Sequence, residues 1–474
     1  MRAGSSLLAG PAASIITLCA PPSIGPHAVK SRVKQSELAT PRSRLRRLAV
    51  DLTPLRTSRD FRLLWFGELI STTGSQIALV AVFVQVYDLT GSAAAVGLVG
   101  LVQLVPLALA ALVGGPLIDL HDRRRLLLVA QCGEAVAAGV LFAGAAAGHP
   151  PLAVVYGGAA LVAGCSGFSL SVRSSMTPNL VPREQLSSAL SLNQVMWNTC
   201  LIAGPALGGI VIDELGLTLA YGLDVVSFAA TILACLLMRP QYPSRSLAGR
   251  ETRPAPFGTL TATLARGWRE MTEGFRFLRG RRVIQATFYV DLVAMIFGMP
   301  RALFPVLAVT QFDAGPQIVG VLFSAVSVGA LLGALTTGWV RHVRRQGLAV
   351  LCAVAVWGMG IIAFGLVGDR LWLALVCLAV AGAADVVSAV FRGTILQQAV
   401  PDSLRGRMSA VHILVVVGGP RLGDVEAGAL AALFTPTFSV ISGGVACVVG
   451  VVVLALAVPE FARYRPEISA AAPG

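Results

Sequence analysis

The sequence predicts an all-α membrane protein with twelve transmembrane helices arranged as two pseudo-symmetric six-helix bundles. Three observations predict it. Of 474 residues, 55% are hydrophobic and only 13% are charged, with a mean hydropathy of +0.76, whereas a soluble domain carries about a quarter charged residues. From Phe61 onward the chain divides into twelve apolar runs, each near the ~20 residues that cross a bilayer as a helix. The motifs of the first six runs recur in the last six.

The runs fall at about 61–87, 93–114, 126–147, 151–172, 188–212, 218–238, 284–309, 317–340, 347–367, 371–391, 406–432 and 437–457. Their connections alternate in charge. Arg123–Arg125, Arg173 and Arg183, Arg239 to Arg282, Arg341 to Arg345, and Arg392 to Arg407 occupy one side. Asp88, His149, Asp213 and Glu214, Asp313, Asp369 and Arg370, and Thr435 occupy the other. Arginine-rich loops stay in the cytosol, so both termini are expected there and the protein in the inner (plasma) membrane. The net charge of +13 is accounted for by these clusters, so no nucleic-acid partner is expected. Seven of the eight cysteines lie within apolar runs, with no C-x-x-C pair; they read as small buried residues, and no metal site is expected.

Five segments follow. Residues 1–57 carry a broken apolar stretch and then Lys30, Lys34, Arg42, Arg44, Arg46 and Arg47, a composition expected of a disordered basic cytosolic extension and not of a cleaved signal. Residues 58–238 and 283–458 are the two bundles. Residues 239–282 form a central cytosolic connection in which Leu260, Leu264, Trp268, Met271, Phe275 and Leu278 recur at helical spacing. That pattern fits an amphipathic helix on the membrane surface or a plain linker. Residues 459–474 are a cytosolic tail.

Internal repetition supports the two bundles. Val96-Gly97 and Gly115 match Val319-Gly320 and Gly338 at an identical separation, and Arg173 precedes Pro182 by the interval at which Arg392 precedes Pro401. GPALGG at Gly204–Gly209 is answered by GPRLGD at Gly419–Asp424. Duplicated halves of this kind enclose a central cavity at their interface.

Gly114–Leu126 reads GGPLIDLHDRRRL. Its G-x-x-x-D-x-x-x-R-[RK] layout resembles the signature loop between the second and third helices of major facilitator transporters. By that resemblance Gly115, Asp119, Arg123 and Arg124 form a conformational latch, an acid held near arginines only while two helices stay apposed. An ordinary positive-inside loop with an incidental acid is the plainer reading, and Asp122 stands where many facilitators carry Gly. Gly204, Pro205, Gly208 and Gly209 resemble the core of a motif found in facilitator antiporters, where Gly permits close packing and Pro kinks the helix; Cys200 and Ser191 stand in place of its upstream glycines.

Across residues 56–459 the chain resembles the enterobactin-exporter branch of the major facilitator superfamily and neighbouring multidrug exporters. The resemblance is carried by FRLLWFGELIS at the entry to the first run, GGPLIDLHDRRR, TPNLVPREQLSSA, GFRFLRGRRVI and ILQQAVPDSLRGRMSAV, followed by Gly423-Asp424. It implies the major facilitator fold, a small-molecule substrate, alternating access, and a proton gradient in place of a cofactor.

Ionisable groups inside the runs are expensive and persist with a partner, water or a function. Glu68, Asp291, Asp385, Arg421, Asp424 and Glu426 are the candidates for proton coupling or the substrate cavity, with Arg301, Arg421 and His412 as possible partners for the acids. Glu68 also reads as a helix-end acid. Asp385 shares a helical face with Arg392, so a structural ion pair competes with a coupling role. Arg421 and Asp424, one turn apart, are expected to pair, leaving Glu426 to find water, a partner helix or a proton. Asp424 is the first choice for the coupling acid. Glu134 and Asp224 read as packing or helix-end residues.

The expected function is proton-coupled export of a small amphipathic organic compound, siderophore or drug-like, by a monomer in the bilayer. Proton-coupled uptake or uniport of a nutrient, and a non-transporting scaffold or sensor, remain open alternatives. No Walker loop, H-E-x-x-H or catalytic Ser/His arrangement appears, so no enzyme is expected.

Overall fold

A computed structural model describes residues 51–242, 269, 272–273, 276–400 and 405–465. The basic N-terminal stretch up to residue 50, nearly all of the expected amphipathic helix, and the last nine residues lie outside the described residues. The helices are α1 (Arg59–Thr90), α2 (Ala93–Leu120), α3 (Arg123–Ala146), α4 (Leu152–Leu180) and α5 (Leu186–Leu237) in the first half of the chain. The second half holds α6 (Arg282–Phe297), α7 (Phe304–Thr310), α8 (Pro316–Thr336), α9 (Gln346–Leu366), α10 (Leu371–Ala399), α11 (Arg405–Leu433) and α12 (Pro436–Ala457).

Their starts are written locally. Ser58, Ser92, Asp122 and Thr435 each accept a hydrogen bond from a backbone N–H of the first turn, a cap worth about 1 kcal/mol. Pro316 and Pro436 open α8 and α12, where no donor is missed. Gly91 ends α1 in the left-handed conformation with φ 59°.

Ten helices among the described residues are long and apolar enough to cross a membrane, which makes this a multi-pass membrane protein. They differ from the twelve expected runs in two places. The fifth and sixth runs join in α5, a 52-residue element that breaks only at Gly216 with φ 83°; Asp213 and Glu214 are therefore helical and not in an open loop. The eleventh run lies in α11, several of whose side chains fall outside the described set.

Two expected loop arginines are also helical. Arg173 and Arg392 sit inside α4 and α10, each 29 residues long, because these helices continue past the apolar run and the charges find acids there.

Helices of each half pack mostly among themselves: α1 with α5, α2 and α3 with α4, α8 and α9 with α10, α9 with α12. The main crossings between the halves are α2 with α11 and α5 with α8, with smaller contacts of α1 to α7 and α8. Both main crossings depend on glycine at the repeated positions. A Cβ on Gly97 would lie 3.0 Å from Gly428 Cα and against the Asp424 carbonyl; one on Gly320 would lie 2.9 Å from Gly209 N and against the Pro205 carbonyl. The repeated Val-Gly is thus a pair of backbone-to-backbone contacts, the small-residue packing that membrane helices use.

The buried apolar residues show where the halves join. One cluster unites Val80, Phe83, Val96 and Tyr221 with Leu303, Val319, Phe364 and Val440, all at the end remote from the arginine clusters. Near the arginine end the clusters separate: Phe61, Leu127, Met176 and Cys235 in the first half, Val290, Val354, Phe391 and Phe461 in the second. The halves are sealed at one end and apart at the other. Gly320→Leu is expected to loosen the sealed end, so that a cysteine placed at the fully buried Leu303, in an otherwise cysteine-free chain, reacts several-fold faster with a membrane-impermeant maleimide. Unchanged labelling would show that the crossing contact does not hold the seal.

Candidate functional site

The site begins with a break in the seventh run. Helix α6 stops at Phe297, Gly298–Pro300 leave helical geometry, a short 3-10 turn covers Arg301–Leu303, and α7 resumes at Phe304. Trp357 Nε1 donates to the Gly298 carbonyl at 2.6 Å, so one freed carbonyl keeps a partner inside the bundle. The break turns Arg301 toward α11. There Arg301 Nε donates to both oxygens of Asp424 at 2.9 and 3.1 Å, and Nη2 donates at 2.7 Å. Asp424 is completely buried. Gly423, whose added Cβ would stand 2.9 Å from the Ile296 carbonyl, lets α11 lie against α6.

This corrects the expected Arg421–Asp424 pair. One-turn spacing permits that pair, but Arg301 offers a fork that satisfies both carboxylate oxygens at once. Arg421 instead donates through Nη1 to the Val417 carbonyl at 2.7 Å. Glu426 is half-buried on the same helix and outside the cavity lining.

Two further ion-pair sites tie helices together, one in each half. Glu68 on α1, buried and not a helix-end acid, pairs with Arg173 on α4. Asp291 on α6 lies 2.9 Å from Arg392 on α10, and Asp385 on α10 lies 3.6 Å from the same Arg392 nitrogen. The pairs are counterparts under the repeat, joining the first helix of each half to the fourth. In the second half, however, one guanidinium serves two carboxylates.

A cavity of about 480 Å³ lies between the halves, within the usual range for small-molecule sites. Its charged lining residues are Arg173, Arg301, Arg421 and Asp385; Trp197, Phe304, Phe323 and Trp357 supply aromatic surface, and Gln76, Gln103 and Asn198 supply amides. Pro205 also lines it. Gly204 packs on Gln76, Gly208 lies 3.1 Å from Ile77 Cα by its added Cβ, and Gly209 meets the Pro316 and Gln317 carbonyls at 2.8 Å. The antiporter-like motif thus joins α5 to α1 and to α8.

At the arginine end, Gly115 and Asp119 fall in the last turns of α2, with side-chain surroundings outside the described set. Arg123 Nη1 donates to the Ser175 carbonyl at 2.8 Å and Arg124 Nη2 to the Leu236 carbonyl at 3.0 Å. Asp122, which departs from the signature, accepts from Arg124 N at 3.1 Å and from Gln241 N at 2.8 Å. These described contacts stay within the first half and the start of the connection that follows it.

Arg173 reads from the sequence as a loop charge, Arg392 as a loop charge that could also pair with Asp385, and Arg301 as no more than a possible partner for the buried acids; their shared signal is an arginine that interrupts or closely follows an apolar run. Glu134 and Asp224, which read as packing or helix-end residues, sit among hydroxyls and amides. Ser169 Oγ donates to Glu134 Oε1 at 2.5 Å, Gln131 Nε2 donates to the same oxygen at 3.4 Å, and Ser75 Oγ donates to Asp224 Oδ1 at 3.3 Å. Both acids are buried, and among the described residues neither has an ion-pair partner.

Ten helices among the described residues that are long and apolar enough to cross a membrane, duplicated halves and a polar cavity at their interface define a helical membrane transporter. The family described as transmembrane secretion effector matches residues 49–471, and the chain belongs to it, within the major facilitator superfamily. The chain is 29% identical over 429 residues to the enterobactin exporter EntS of Salmonella typhi, covering 89% of this chain and 98% of that protein. It is 30% identical over 431 residues to EntS of Escherichia coli O1:K1, with coverage of 89% and 98%. Its fold is similar to the crystal structure of a POT family transporter in complex with 5-aminolevulinic acid, with a TM-score of 0.69 at 13% identity over 85% of this chain and 97% of that one. It is also similar to the nucleoside transporter NupG, with a TM-score of 0.65 at 12% identity over 85% and 100%.

Removing one partner of a buried ion pair strands the other, a cost of about 3–5 kcal/mol, whereas replacing both by apolar groups is near neutral. Arg301→Met is therefore expected to lower the thermal unfolding midpoint of the purified protein sharply, and Arg301→Met with Asp424→Leu to recover most of it. Additive losses in the double variant would refute the pairing.

Proposed function

We propose that this protein exports a small amphipathic organic compound, siderophore or drug-like, from the cytosol in exchange for protons. The observation that carries the reading is the cavity between the halves, sealed at one end by a shared apolar core and flanked toward the arginine end by cores that do not meet. The positive-inside rule assigns the arginine end to the cytosol. The described conformation is then the one that loads cargo from inside, with both termini cytosolic, and the plasma membrane is the site of action. The two bundles, 58–238 and 283–458, exchange access by rocking about the site. The relatives named for enterobactin export support a siderophore or a compound of similar size.

Proton coupling is assigned first to Asp291 and Asp385. Two carboxylates on one guanidinium leave one negative charge uncompensated within the membrane, and a proton on either acid cancels it. Asp385 faces the cavity and Asp291 lies behind it, so the proton held there is within reach of events at the wall. Asp424, favoured by sequence alone, gives both oxygens to Arg301; its role in this reading is to hold the α6–α7 break and α11 in register, and to exchange partners when the halves rock. The loop with Asp119, Arg123 and Arg124 acts as the latch of the alternate state. A monomer contains every part of this mechanism, and no metal or cofactor is required beside the proton gradient.

Everted membrane vesicles containing the full chain test the reading. They are expected to accumulate an iron-free siderophore when energised and to lose that accumulation on adding an uncoupler. Asp385→Asn and Asp291→Asn are each expected to lower gradient-driven uptake by about a hundredfold, the lower end of what a positioned proton-transfer group contributes, while counterflow exchange without a gradient survives. Accumulation in right-side-out vesicles instead would establish uptake, and an effect of neither substitution would remove the two acids from the coupling.

A further inference from the structure

We propose that the exported compound carries an anionic group and that Arg421 is the residue that binds it. The inference rests on the export reading and names the substrate class of the same cavity.

The argument is a balance of charges inside the membrane, where an arginine persists only with a partner, water or a function. Three arginines of the site have partners: Arg173 has Glu68, Arg301 has Asp424, and Arg392 has Asp291 and Asp385. Arg421 has none of that kind. No carboxylate among the described residues lies within ion-pair distance of it, and Asp424, one turn along α11, is turned to Arg301. Of the five N–H donors of its guanidinium, one meets the Val417 carbonyl in its own helix. Its Nε is buried with no acceptor. Arg421 nevertheless lines the cavity, beside Pro420 and Val417.

A fixed, half-buried guanidinium with free donors at a cavity wall recognises a planar or tetrahedral anion, and a carboxylate or phenolate fits its fork. The remainder of the lining fits the rest of such a molecule. Trp197, Trp357, Phe304 and Phe323 offer faces to an aromatic or otherwise apolar body, and Gln76, Gln103 and Asn198 offer amides to hydroxyl or carbonyl groups. Asp385, the acid on the wall, spreads the excess negative charge of its cluster over Arg392 and Asp291, whereas the Arg421 charge stands undivided at the wall. An anion is also driven outward by the inside-negative membrane potential, so the electrical part of the proton-motive force acts on the cargo directly.

The test is binding to the full chain in lipid nanodiscs by fluorescence anisotropy, with two probes that share a xanthene frame and differ in charge: fluorescein, an anion, and rhodamine 123, a cation. Fluorescein is expected to bind about tenfold or more tightly than rhodamine 123. R421Q is expected to erase the difference and R421K to keep part of it. Because Arg421 has no carboxylate partner to strand, R421Q should unfold within a few degrees of the unaltered protein. A second measurement needs no variant: 2-naphthoate should displace fluorescein from the unaltered protein and its neutral amide, 2-naphthamide, should not. Equal or tighter binding of rhodamine 123, no binding of fluorescein, equal displacement by the naphthoate and the amide, or unchanged fluorescein binding in R421Q would each overturn the assignment. Charge-selective binding without gradient-driven accumulation in everted vesicles would sink the export reading and leave the ligand class standing.

Discussion

An arginine inside the membrane persists only with a partner, water or a function, and much of the arrangement of this protein follows from how its arginines are paired. Arg173 and Arg392 occupy equivalent places in the duplicated halves, and each is answered by an acid on the first helix of its own half, Glu68 or Asp291. The pairs explain why α4 and α10 run on beyond their apolar stretches. Arg301 is answered across the second half by Asp424, and only the broken stretch before α7 gives it the reach. Helix length, helix break and close packing of α11 on α6 are therefore linked consequences of one electrostatic requirement.

In the proposed mechanism the departures from symmetry carry the function. A strict repeat would give each half one arginine for one acid. The second half adds Asp385, which leaves an acid in excess at the wall, and Arg421, which leaves a base in excess there. Structural ion pairs balance, whereas these two groups do not. Sites that move ions or recognise charged cargo are where such imbalance is expected in a membrane interior.

Much of the architecture was legible in the sequence because apolar length and arginine-rich loops are one-dimensional signals. The repeated Val-Gly and Gly-Pro elements were legible too, and each lies at a helix contact: Gly97 against α11, Gly320 against α5, Gly423 against α6. Partner choice was not legible. Spacing along one helix pointed Asp424 to Arg421, yet the decisive competitor, Arg301, comes from another element whose path depends on three non-helical residues. Glu68 read as an end residue because its distance from Arg173 in sequence gives no hint that α1 and α4 bring them together. Glu134 and Asp224 were set aside for the same reason, since the serines that satisfy them come from neighbouring helices. Asp122 illustrates the converse: a departure from a familiar pattern that the structure uses as a cap for α3 and an anchor for Gln241.

The sealed end has a property that the paired charges do not. Phe83, Leu303, Val319 and their neighbours close it with hydrocarbon and main-chain contact, with no ion pair among these cluster residues. Charge screening therefore has no grip on the closure, while temperature does: wetting this surface during the switch to the opposite access carries a positive heat-capacity change, and the barrier to turnover bends with temperature instead of following a straight Arrhenius line. A transporter built this way tunes its resting state by the width of a seam of aliphatic side chains.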